Sequence, residues 1–234
     1  EISECLVGSE MCIRDRVEGS GGTVVGEKYL HLRNSNVTEL IEAILSTEVD
    51  FVLNNLVGET SYAFLRALDE ACLRDRRTLA VLSCNFTEAE VAEVAPLRAV
   101  RLLSCGPFFE SVDLDFCARQ HLQHGAQRIS HYYIGGWRAV RLFANSLREA
   151  GNSEPGAVLA ALHRQHDVDS PGARSVMAQN NHACLPCYIA ELQQTCFQIL
   201  HREPLPVMPD PYLSATELRE SRTVAARPAL RIVK

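Results

Sequence analysis

Between Gly21 and Pro107, short apolar runs alternate with segments of helical periodicity, and this alternation leaves few folds open. Phe51–Leu56, Thr78–Ser83 and Val100–Cys105 have the length and branched, apolar character of buried strands. Val37–Leu45 and Tyr62–Leu73 carry their apolar residues at helical spacing, and Glu88–Val94 reads as a short helix. Thr23–Leu32, rich in branched and aromatic residues, is expected to be a further strand. Strand, loop and helix repeated in this order build βαβ units around a parallel sheet. Right-handed crossovers place the loop after each strand on the same edge. Val57–Ser61, Cys84–Thr87 and Gly106–Ser111 are therefore predicted to meet on one rim, where open α/β sheets bind ligands.

Beyond Asp113 the pattern changes. Leu114–Gln123, His131–Ala150 and Ala157–His163 read as helices with no strand between them, and Gly151-Asn152 is a good stop for the longest. Short strands return at Ser175–Gln179, Tyr188–Glu191 and Cys196–His201, and the chain after Glu203 is proline-rich and extended. An α/β block, a helical excursion and a return to strands imply a chain that passes between two lobes more than once. Residues 1–16 break from all of this in composition. They resemble translated adapter sequence, or form an unordered arm, and residues 1–20 are set apart from the fold.

Charge and cysteine usage narrow the function. Lys plus Arg is 23 against Asp plus Glu 29, a net charge of -6, which gives no general affinity for nucleic-acid backbones. No apolar run is long enough to span a bilayer, so no membrane insertion is expected. Nine scattered cysteines are expected to be free thiols, which favours a cytoplasmic location. Cys184-Leu185-Pro186-Cys187 is a lone CxxC without the second pair that a zinc site needs. His121 and His124, one helical turn apart, lack a third ligand nearby, so neither metal nor cofactor is expected. Cys84, Cys105, His131, His163 and His166 offer nucleophile and base types. None stands in a nucleophile elbow, and HExxH and P-loop patterns are absent, so an enzyme is not expected.

Six segments, in order and spacing, resemble the amide-binding branch of the branched-chain amino-acid, urea and amide receptors. They are Gly21-Gly22-Thr23-Val24, Leu56-Val57-Gly58-Glu59-Thr60, Thr87-Glu88-Ala89-Glu90-Val91-Ala92, Pro107-Phe108-Phe109-Glu110-Ser111-Val112-Asp113, Gln179-Asn180-Asn181-His182 and Pro209-Asp210-Pro211-Tyr212. The resemblance implies a type I periplasmic-binding fold of two α/β lobes that close on a ligand. Residues 21–110 and 168–201 would build a near-complete C-terminal lobe, 111–167 the helical part of an N-terminal lobe, and 202–234 an extended tail. The first part of the family's N-terminal lobe has no counterpart, so the chain reads as N-terminally truncated. Gly172-Ala173-Arg174 also departs from the family's usual Gly-Pro-Val strand start.

A small amide needs a few fixed donors and acceptors in an apolar, aromatic-lined cleft. Gly58 for close backbone approach, Thr60 and Ser61 for hydroxyls, Asn85 for a donor and acceptor, and Phe86 and Phe108 for a wall are the candidate ligand-binding residues. Phe109 is expected in the core instead, because successive side chains of an extended chain point to opposite faces. The resemblance implies a sensor of short aliphatic amides or urea-like molecules that regulates amidase expression through a partner such as an antitermination regulator. The alternative is the substrate-binding component of a urea, amide or branched-chain amino-acid ABC transporter. Its partner would be the permease and its location periplasmic.

Overall fold

Three of the apolar runs become adjacent strands. In the structure, a computed structural model that describes residues 13–30, 36–125, 127–167, 171 and 175–210, they are β1 (Phe51–Leu53), β2 (Leu79–Leu82) and β3 (Val100–Gly106). All three run parallel, with Phe51 opposite Ala80 and Leu79 opposite Val100. The helices between them are α1 (Thr38–Leu45), which precedes β1, then α2 (Glu59–Arg74) and the short α3 (Val91–Val94) behind a 3-10 turn at Glu88–Glu90. The 3-10 turn starts with a capping box. Thr87 N–H donates to Glu90 Oε2 at 2.8 Å, which fixes where the loop ends and the helical turn begins.

The core lies between these helices and one face of the sheet. Phe64, Leu65, Leu68 and Cys72 form the buried stripe of α2, at helical spacing. They meet Leu79, Val81, Val100 and Leu102, which alternate along β2 and β3 as strand side chains must. Asp69 lies within the same stripe. Its buried Oδ1 accepts the backbone N–H groups of Arg98, Ala99 and Val100 at 2.9, 2.7 and 2.8 Å. One carboxylate thus holds the entry of β3 against α2.

After β3 come a 3-10 turn at Glu110–Val112 and the helices α4 (Leu114–His124), α5 (His131–Ala150) and α6 (Pro155–Leu162). Gly151, in the left-handed conformation at φ 68°, ends α5 where the sequence placed a stop. α4 and α5 contribute to a second, smaller cluster of Phe108, Phe116, Cys117, Ile129 and Ile134. Phe108 and Phe109 separate here. Phe109 has extended backbone, joins the sheet core and lies 5.1 Å from Phe197, while Phe108 enters the helical cluster.

The chain then makes a small antiparallel sheet of β4 (His166–Asp167), β5 (Ser175–Met177) and β6 (Ala183–Cys184). It rejoins the main sheet as β7 (Tyr188–Gln193) and β8 (Cys196–Arg202), giving the order β1-β2-β3-β7-β8. β7 is antiparallel to β3 and β8 to β7, so the sheet is mixed, with its parallel part first.

Two expectations change. Residues 23–30 of the expected strand Thr23–Leu32 form no ladder, and the rest of that run lies outside the described residues. Among the described residues β1 pairs with β2 alone, so residues 23–30 join no strand, and Val25 and Tyr29 stay exposed. Strand character becomes a strand only where a second backbone accepts its hydrogen bonds. At the N-terminus, residues 1–12 of the set-apart segment lie outside the described residues, while 13–19 are helical. There Arg14 pairs with Glu27 at 2.8 Å and with Glu18 at 3.6 Å.

Candidate functional site

The carboxyl ends of β1 and β2 are tied by a polar network. Asn54, buried just past β1, donates its backbone N–H to Leu82 O at 2.8 Å. Its Nδ2 donates to Ser61 Oγ at 2.9 Å and lies 3.4 Å from Ser83 Oγ, and its Oδ1 accepts from Leu56 N at 3.0 Å. Asn85 Nδ2 donates to the carbonyls of Leu56 and Asn55 at 3.1 and 3.3 Å, and its Oδ1 accepts from Ser83 Oγ at 3.0 Å. The loop of Gly58, Thr60 and Ser61 and the loop of Asn85 therefore lie side by side on one rim. Asn54 and Ser83 hold them there. Sequence reasoning passed over both because each stands inside or at the end of an apolar run; a polar residue closing such a run is the signal that marks them.

Gly58 opens α2 with φ 57° and ψ -141°, a backbone state that residues with a Cβ rarely adopt. No side chain caps this helix. Its first N–H groups have no intrahelical acceptor and carry the positive end of the helix dipole. Thr60, in the first turn, is buried, and its Oγ1 has no hydrogen-bond partner among the described residues. Ser61 Oγ is engaged with Asn54.

The two rings expected to wall a cleft are enclosed by protein. Phe86 is 1% exposed and lies edge-on to Tyr62 and Phe197 at 6.4 Å from each. Its carbonyl accepts from Ser104 Oγ at 2.7 Å. Phe108 is fully buried in the helical cluster. The apolar surface each ring would show to a ligand is covered by neighbouring helices and strands, so Gly58, Thr60, Ser61 and Asn85 stand at the rim and the two phenylalanines beneath it.

Further along the rim, β3 ends at Gly106, against which the His131 ring is packed. A Cβ at Gly106 would lie 3.0 Å from His131 Nδ1. That nitrogen is buried without a partner among the described residues, and burial lowers the His131 pKa. Past β2, Glu88 is buried, and its Oε1 accepts from Glu110 N at 2.8 Å, while Oε2 has no partner. Burial lifts its pKa to about 7. Glu110 Oε1 accepts from Ile129 N at 2.6 Å, and Arg128 and His121 stand 3.3 and 3.8 Å from its carboxylate. Glu88 and Glu110 thus join the rim to the helical region at the point where the chain leaves the sheet.

The two sequence motifs near the C-terminus meet. Asn180 Nδ2 donates to Pro209 O at 2.9 Å, and Asn181, at φ 64°, turns the chain between β5 and β6. His163 Nε2 lies 2.7 Å from Asn181 Oδ1. These residues shape a turn and hold the segment after β8; Pro211 and Tyr212 lie outside the described residues. Among the described residues, no group of three or more His, Cys, Asp or Glu is placed to hold a metal ion. No helix among them is long and apolar enough to cross a membrane.

The model of the periplasmic binding protein domain matches residues 8–218, which reach into the segment set apart at the N-terminus. Among solved structures, the chain is similar to the solute-binding protein of an ABC transporter from R. palustris in complex with benzoate. The TM-score is 0.71 and the identity 16%, over 83% of this chain and 54% of that one. A leucine-binding protein from Thermotoga maritima matches with TM-score 0.68 and 10% identity, over 85% and 57%. A branched-chain amino-acid transporter substrate-binding protein from Streptococcus pneumoniae, in complex with isoleucine, matches with TM-score 0.65 and 10% identity, over 78% and 52%. The chain spans about half the length of these structures. At such identities the likeness shows the fold alone, whereas the family model covers nearly the whole sequence: the chain belongs to the periplasmic binding protein domain family.

Proposed function

We propose that this chain forms part of the solute-binding component of an ABC importer and takes a small organic molecule bearing a carboxylate or amide oxygen. The observation that carries the reading is the start of α2. There an uncapped helix N-terminus, opened by Gly58 at positive φ, stands beside the buried, unpartnered Thr60 hydroxyl. Free N–H groups at the positive end of a helix dipole, together with one hydroxyl, suit an oxygen that carries negative charge. Asn54 and Asn85 spend their amides on the two loops, so in this reading they position the site without touching the solute.

The solved neighbours named above are transport proteins that bind carboxylates, which supports the importer over the amide sensor that regulates amidase expression. The permease replaces the antitermination regulator as the proposed partner, and the periplasm replaces the cytoplasm as the proposed location. The division into an α/β lobe at 21–110 and 168–201 and a helical part of a second lobe at 111–167 is part of this proposal. The function is binding followed by hand-over, without turnover of the solute.

Calorimetric titration of the complete gene product with benzoate, leucine, isoleucine, acetamide, butyramide and urea tests the reading. Saturable binding of one of them at one site is expected, weakened about tenfold by Thr60→Val, the loss of one hydrogen bond to a charged group. No binding by any member of the panel, or binding indifferent to Thr60→Val, overturns it. The 234-residue chain alone is expected to bind more weakly, because a cleft holds a solute by enclosing it on both sides.

A further inference from the structure

The rim also carries thiols that solute binding does not use. Cys105, on β3, and Cys187, the residue before β7, bring their sulfurs to 3.5 Å although they lie 82 residues apart in sequence. Both are half-buried. Cys105 stands opposite Ile189 in the ladder, and Cys187 lies just beyond the residues paired with β3, its carbonyl accepting from Glu203 N at 2.9 Å. Cys184, the other thiol of the CxxC, turns away and donates to Met208 Sδ at 3.3 Å. Cys84, exposed in the loop after β2, is near enough for a charge on it to act on Cys105 and Cys187. Three segments, from the ends of β2 and β3 and the start of β7, therefore bring thiols to the same end of the sheet.

We infer that Cys105 and Cys187 are a reversible disulfide site, whose bond fastens the end of β3 to the entry of β7. A disulfide has its sulfurs at about 2.05 Å, so closing it needs an approach of roughly 1.5 Å. Rotation of the two cysteine side chains, with a small shift of the segment before Tyr188, supplies that approach. The oxidant is a small-molecule disulfide. The Cys187 thiolate attacks one of its sulfurs, forming a mixed disulfide and expelling one small thiolate, which takes up the proton Cys187 lost. Cys105 then attacks Cys187 Sγ, gives up its proton and displaces the second small thiol. Two protein thiols and one disulfide become one protein disulfide and two small thiols. Burial, and next the hydrogen bond with Cys187, raise the Cys105 pKa. That suits it to the second, intramolecular step, where proximity compensates for a small thiolate fraction. The bond would close a loop containing α4, α5, α6 and the small antiparallel sheet, joining in one covalent link the chain's exit from the main sheet and its return. The inference does not depend on what the rim binds.

The test is disulfide mapping of the full chain after equilibration with mixtures of oxidised and reduced glutathione. Free thiols are then blocked and the linked peptides sequenced by mass spectrometry. A single link between Cys105 and Cys187 is expected, present in Cys84→Ser and absent in Cys187→Ser. Its formation is expected to raise Tm by roughly 10 °C, reversibly with dithiothreitol, as closure of a long loop predicts. All thiols blocked across the whole range, or a principal link through Cys84 or between Cys184 and Cys187, overturns the assignment.

Discussion

The sheet block and the long helix α5 follow the same amphipathic rule and reach different ends. In α2 the apolar stripe of Phe64, Leu65, Leu68 and Cys72 is covered completely, because the sheet beneath offers a continuous apolar face. α5 has two stripes. Ile134, Arg138, Leu142 and Ser146 repeat every four residues and are buried. Tyr132, Val140 and Phe143, on another side, are 63%, 69% and 55% exposed. A helix with one buried stripe and a second, apolar one requires two neighbours, and among the described residues one side has them. Tyr133 and Trp137 do not share that exposure. Tyr133 instead donates to Gln120 Oε1 at 2.7 Å, and Trp137 lies edge-on to Phe116 at 5.3 Å with the Arg141 guanidinium above it at 4.4 Å. The covered stripe supplies stability; the bare one supplies a surface.

This contrast sets the sizes of effects. The largest belongs to the block, at Asp69. Asp69→Ala leaves three backbone N–H groups buried without an acceptor and is expected to cost about 3–5 kcal/mol in urea unfolding, with Asp69→Asn costing less because one acceptor oxygen remains. A loss under 1 kcal/mol would show that the β3 entry holds itself.

Glu88, at the junction of the two regions, comes next. Its folded pKa of about 7 lies above the ordinary 4.5. Between those values the folded chain keeps a proton that the unfolded chain has lost. Stability therefore falls as pH rises from about 4.5 to 7 and is flat above. The full gap amounts to about 3 kcal/mol. Glu88→Gln, which keeps an acceptor for Glu110 N–H, should remove most of that slope and make the chain more stable than the parent at pH 8. Parallel slopes for both proteins would assign the pH dependence to other groups.

Gly106→Ala tests the packing of α5 on β3. A methyl 3.0 Å from His131 Nδ1 must push the ring away, at an expected cost of about 1–2 kcal/mol. Replacing His131 by Ala in the same chain should return most of the loss. The smallest effect on stability is expected at the bare stripe. Phe143→Ser should change unfolding free energy by less than about 0.5 kcal/mol while lowering self-association in sedimentation. Equal association by parent and variant would mean that the exposed face is not adhesive.

Much of the architecture was legible residue by residue. The boundaries of α5 at His131 and Ala150 and the strands expected at Thr78–Ser83 and Val100–Cys105, found at Leu79–Leu82 and Val100–Gly106, follow from periodicity; the helix expected at Glu88–Val94 divides into a 3-10 turn and α3. Phe86 and Phe108 show where that reading ends. A phenylalanine in a rim loop has the same letters whether it lines a cleft or fills a core, and only the neighbours settle it. Likewise, nothing local in Thr23–Leu30 reveals that the backbone it would pair with is not beside it.

Spacing and composition by themselves determined most of the helices and the three parallel strands, that these strands share a carboxyl rim, and that Gly58, Thr60, Ser61 and Asn85 stand on it. These are properties of short stretches, set by side-chain period, caps and turn residues within a few positions. Tertiary structure alone decided that β7 and β8 close the sheet in the opposite direction, that Glu88 meets Glu110, and that Cys105 meets Cys187 across 82 residues. Such contacts depend on how whole elements pack, and packing is a sum over many weak interactions that no local pattern encodes.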